Sequence, residues 1–122
     1  MEKKLLGKPV IVELSTDEDN ISIQELENIY KTFEVNFTDE KLGTCIEKTA
    51  QELIDSIYQQ SDDEPEKNEL NDLIKDMVLA RITVYSDAFM LFFTAQNIFP
   101  GDEIVVQINN NYEIEDMIVE EG

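Results

Sequence analysis

Two short acidic runs, Asp17-Glu18-Asp19-Asn20 and Asp62-Asp63-Glu64, are where this chain concentrates side chains that could do chemistry. Clustered carboxylates hold hard cations such as calcium. Neither run has the glycine-centred spacing and distant glutamate of an EF-hand loop, so both read as solvated acidic loops. Carboxylate pairs also serve acid–base chemistry, but a glycosidase or phosphotransferase site sets them across a sizeable cleft. A chain of 122 residues with one core has little room for that. Histidine is absent, which removes Ser-His and Cys-His nucleophile pairs and the commonest zinc ligand. The one thiol, Cys45, falls on or beside the apolar side of a predicted helix. Lys48 stands at helical spacing from it, but its place on the apolar side makes it read as a buried structural cysteine. The glycines are scattered and build no phosphate-cradling loop. No catalytic residue, cofactor or metal ligand is expected, and the chain reads as a non-enzyme.

Charge says more about partners. The 28 acidic and 9 basic side chains leave a formal charge of −19. That opposes binding to nucleic acid, whose phosphates need Lys and Arg, and to anionic membrane surfaces. It favours a cationic partner or plain solubility. A lone cysteine rules out an intrachain disulfide and fits a reducing compartment. The chain shows neither the apolar region of a signal peptide nor the roughly 20 apolar residues of a membrane span, so a cytoplasmic protein is expected.

The elements follow from periodicity. Pro9-Val10-Ile11-Val12-Glu13-Leu14 is a strand candidate whose proline suits the first residue of an edge strand. Ser22 with Glu25 fits a capping box, and Leu26, Ile29, Tyr30 and Phe33 keep helical spacing, so a helix over residues 23–34 is predicted. Thr38 caps a long second helix over 39–60. Its stripe is Leu42, Ile46, Ala50 or Thr49, Leu53 and Ile57, widened by Cys45, Ile54 and Tyr58. A third helix runs from residue 65 or 66 to 77 with Leu70, Leu73, Ile74 and Met77 inward. From residue 80 the period changes to two. Ile82 and Val84, then Phe89-Met90-Leu91-Phe92-Phe93, then Ile104, Val106 and Ile108, then 112–119 read as a four-strand meander. Turns are expected at 86–88, Pro100-Gly101 and Asn110-Asn111. A bulge near Glu115-Asp116 would let Ile114, Met117 and Val119 all face the core. The fold class is thus α+β over residues 1–122 as one domain: a four- to five-stranded antiparallel sheet with about three helices on one face. In Phe89-Met90-Leu91-Phe92-Phe93 both alternating faces are apolar. Either the far face is covered by the N-terminal segment or a helix, or it is a contact surface.

The order of elements resembles small bacterial domains of unknown function regarded as candidate immunity proteins of polymorphic toxin systems. The likeness spans residues 21–119. It is carried by the Ile21-Ser22-Ile23-Gln24-Glu25-Leu26 helix start and by Ala80-Arg81-Ile82-Thr83-Val84-Tyr85-Ser86-Asp87-Ala88 leading into the aromatic strand. Glu103-Ile104-Val105-Val106 and Tyr112-Glu113-Ile114-Glu115-Asp116 complete it. Relatives often carry His-Gly before the third meander strand, where Pro100-Gly101-Asp102 stands here. The resemblance implies a protein that neutralises a cognate secreted toxin by direct binding and needs no chemistry of its own. A basic toxin would associate fast with so acidic an inhibitor. The alternatives are an acidic regulatory or structural adaptor, self-associating through the apolar sheet face, and a DNA mimic that occupies a basic groove. A monomer or weak homodimer is expected.

Residues 82–122 hold eight acids and no Lys or Arg. The expected partner surface is therefore the turns and exposed side of the meander: Asp87, Asp102, Glu103, Glu113, Glu115 and Asp116, with Tyr85 and Phe99 as aromatic anchors.

Overall fold

The computed structural model describes residues 2–5, 8–15, 22–58 and 69–121. Both acidic runs and the expected helix start near Pro65 lie outside them.

The helices form where the local signals place them. Ser22 Oγ accepts the Glu25 amide at 3.1 Å and opens α1, Ile23–Asn36. Thr38 Oγ1 accepts the Lys41 amide at 3.3 Å and opens α2, Asp39–Tyr58. α1 buries Leu26, Tyr30 and Phe33. α2 buries Leu42, Cys45, Ile46, Thr49, Ala50, Leu53 and Ile54, so both Thr49 and Ala50 belong to its stripe. The side chains of Ile57 and Tyr58 lie outside the described ones. α3, Glu69–Asp76, buries Leu73, and Met77 follows it inward.

Among the described residues six strands, rather than the expected four or five, form one sheet in chain order: β1 Glu2–Leu5, β2 Lys8–Leu14, β3 Val78–Val84, β4 Ala88–Ala95, β5 Phe99–Asn109 and β6 Ile114–Glu121. The α+β architecture and the C-terminal meander are those expected, and the sheet is mostly antiparallel. One pairing differs: β2 runs parallel to β3. Parallel neighbours need a long crossover, and the three helices supply it. β2 is also not an edge, because β1 pairs with its other side. Pro9 still has a single neighbour, Lys4, since pairing with β3 begins at Ile11.

Two turns differ from expectation. The β4–β5 connection is residues 96–98, and Pro100-Gly101 lies inside β5. The reason is Asp76 at the end of α3. Its carboxylate accepts the Asn97 amide at 2.9 Å, the Asn97 side chain at 2.8 Å and the Ile98 amide at 3.0 Å. The register then jumps from Thr94 opposite Glu103 to Ala95 opposite Phe99, and Gly101 absorbs the jump at φ +81°. The β5–β6 turn has three residues rather than two. The Tyr112 amide bonds the Asn109 carbonyl at 2.9 Å, and Tyr112 takes the left-handed φ of 64° that glycine usually fills. Its ring packs among Phe33, Phe37 and Phe89 with Lys41 5.0 Å away, contacts that offset the backbone strain. The bulge falls where expected: Ile114 faces Ile108 and Asp116 faces Gln107, leaving Glu115 extra.

Candidate functional site

β4 decides the layout. Phe89, Leu91 and Phe93 point to the helices and are at most 2% exposed. The Phe89 ring lies 4.6 Å from that of Phe33. Ile82, Val84, Ile104, Val106 and Ile108 share this core. Met90 and Phe92 therefore point the other way, where no described helix packs.

Register builds that open face into rows. Ile11 stands beside Arg81, Arg81 beside Phe92, Phe92 beside Val105, and Val105 beside Ile118. This row crosses five strands and is apolar except for Arg81. Ile11 is 55% and Ile118 45% exposed at its two ends. The row above it, Glu13, Thr83, Met90, Gln107 and Asp116, is polar except for Met90. Below it Thr94, Glu103 and Glu120 stand side by side. The face is thus an apolar band with an acidic rim.

Arg81 is pinned in the middle. Its guanidinium lies 4.0 Å over the Phe92 ring, and Glu103 stands 3.9 Å from it. Both side chains are 38% exposed, so the pair is partly screened and its worth is mostly orientation. Two shallow depressions flank Arg81. One of about 370 Å³ reaches Glu13, Thr83 and Tyr85; one of about 200 Å³ reaches Ile11, Thr94 and Glu103.

The expected partner residues do not form one group. Tyr85, Asp87, Glu113, Glu115 and Asp116 lie toward the end of the sheet that carries the β3–β4 and β5–β6 turns. Phe99, Asp102 and Glu103 lie toward the opposite end. Asp87, Glu113, Glu115 and Asp116 are exposed, while Tyr85, Asp102 and Glu103 are half-buried. Phe99 packs against the core and is not a free anchor. Register brings Glu103 and Asp116 onto the open face, and Tyr85 lines the depression beside Arg81. Sequence reasoning missed Ile11, Arg81, Val105 and Ile118. One signal was present: Ile104-Val105-Val106, like the β4 run, is apolar on both parities.

The other reactive group is buried. Cys45 is 6% exposed, and burial pushes its thiol from about 9 up to about 11 despite the opposing pull of Thr49 and Lys48. Such a thiol is a poor nucleophile. Among the described residues no cluster of His, Cys, Asp and Glu could hold a metal ion, and no helix is long and apolar enough to cross a membrane. Comparison with protein-family models, curated proteins and solved structures finds no match.

Proposed function

We propose that this chain is a non-catalytic acidic binding protein that neutralises a basic protein, in the manner of a cytoplasmic immunity protein acting on a cognate secreted toxin. The observation that carries this reading is the open sheet face. An apolar band bearing Phe92 and Arg81, with exposed ends at Ile11 and Ile118, is rimmed by Glu13, Glu103, Asp116 and Glu120. Aromatic and arginine side chains at the centre with charge at the rim is the composition of a protein interface. The net charge of −19 selects a cationic partner and steers it in. Two copies of this face would set acidic rim against acidic rim, which disfavours self-association as the main role.

Co-expression with the product of the neighbouring gene tests this. The expected result is co-purification and rescue of growth, both lost with Phe92→Asp and kept with Lys75→Ala on α3. Failure of a cationic neighbour to co-purify or to be neutralised overturns the reading. Replacing Glu103 and Asp116 by Gln and Asn should slow association and flatten its salt dependence, because rim charge acts on the on-rate.

A further inference from the structure

The two edges of the sheet are built differently. β1, at one edge, is four residues long and carries Lys3 and Lys4. Shortness and lysine are the usual guards against a stray strand. β6, at the other edge, is eight residues long and has no Lys, Arg or Pro. β5 satisfies one side of it, and no described strand pairs with the other. Its bulge is confined to Glu115. From Asp116 to Glu121 the register with β5 is unbroken; the Asp116 carboxylate accepts the Met117 amide at 2.9 Å, and beyond it the free side is a regular ladder of backbone groups. Such a ladder takes an added strand by main-chain hydrogen bonds.

Side chains on both faces of this edge are unfinished. Ile118 is 45% exposed on the open face, and Val119 is 39% exposed on the helix side. The start of β6 also borders a groove of about 730 Å³ between α2 and the β5–β6 turn. Cys45, Tyr112 and Ile114 are among the groups lining it. A strand laid against β6 would cover Ile118 with one face and Val119 with the other.

Charge names the occupant. Glu115, Asp116 and Glu120 are exposed along β6, and no Lys or Arg follows Arg81 in the chain. We infer that β6 is a docking edge for an extended basic segment of the partner protein, with alternating apolar and Lys or Arg side chains, which adds to the sheet as a further strand. This rests on the reading of the chain as a binder of basic proteins and supplies the mode of binding. Acids directly opposite cations across a strand pair are favourable, and acids opposite acids are not, so the same edge rejects a second copy of itself.

The test uses the full chain and two end-blocked decapeptides. One alternates Lys and Val; the other alternates Lys and Pro, with equal charge and no capacity to pair as a strand. The Lys-Val peptide should bind at least tenfold tighter and slow amide exchange along β6 at least tenfold, with β1 amides unchanged. Ile118→Lys should weaken it at least tenfold, and so should Glu120→Lys, an exposed position that leaves the core untouched. Glu27→Lys, an exposed position on α1 with the same change of charge, should have little effect. Equal binding of the two peptides, protection away from β6, or equal loss with Glu27→Lys overturns the docking edge. Capture of a basic partner with β6 unprotected would sink the edge and leave the inhibitor reading standing. Strand addition of the peptide with no neutralised partner would do the reverse.

Discussion

Phe92 and Phe93 are neighbours on β4 with the same side chain and opposite fates. Phe93 is fully buried under the helices. Phe92 is half-buried on the open face, with the Arg81 guanidinium 4.0 Å over its ring. The two faces of one strand thus divide the work. The helix side holds the fold together, and the open side presents a surface. Changes on the first should move stability and spare binding. Changes on the second should do the opposite.

The largest effect belongs to the helix side. Phe93→Ala should cost about 3–5 kcal/mol, because a fully buried ring is lost and a cavity remains. Urea unfolding measures it, and a cost near that of Phe92→Ala would abolish the distinction between the faces. Alkali probes the same layer through Cys45. Its folded pKa of about 11 lies above its ordinary value near 9, so folding keeps a proton that the unfolded chain releases. That stability is complete below about pH 9 and is lost as pH rises toward 11, on the order of 2 kcal/mol in full. Tyr30, raised to about 12 by burial first and by Glu34 second, adds its own loss only above pH 10. Cys45→Ala should therefore flatten the fall between pH 9 and 10 in particular. An unchanged slope in denaturant titrations across that window would show the thiol to be solvated.

Asp76 ties the helical layer to the sheet by three hydrogen bonds to residues 97 and 98. Asp76→Ala should cost about 1–2 kcal/mol, since these groups can turn to water instead. Hydrogen exchange should localise the loosening to the β4–β5 turn and leave the open face as it was. The smallest stability effect is expected for Phe92→Ala: about 1 kcal/mol or less, mostly its contact with Arg81. The same variant should weaken the partner at least tenfold by calorimetry. Full affinity would remove Phe92 from the interface.

What could be read from the chain is what its neighbours in sequence decide. Ser22 with Glu25 and Thr38 with Lys41 are contacts three residues apart, and they form as expected. The stripe of α2 as far as Ile54 and the Glu115 bulge follow from side-chain period alone, and both are present. The buried, unreactive character expected of Cys45 follows from its place on that stripe.

Tertiary structure decided the rest, because those outcomes turn on residues far apart in the chain. Period two separates faces only when one parity is polar, and in Phe89–Phe93 neither is, so packing from distant parts of the chain, such as Phe33 on Phe89, chose which side became core. The Pro100-Gly101 signal lost to a carboxylate 21 residues upstream of Asn97. Tyr112 occupies a glycine conformation because an aromatic cluster from α1 and β4 receives its ring. The acids of the last third look like one group in sequence. Antiparallel strands carry successive turns to opposite ends of a sheet, so Asp87 and Asp102 part, while register gathers Ile11, Arg81, Phe92 and Ile118 from four strands into one row.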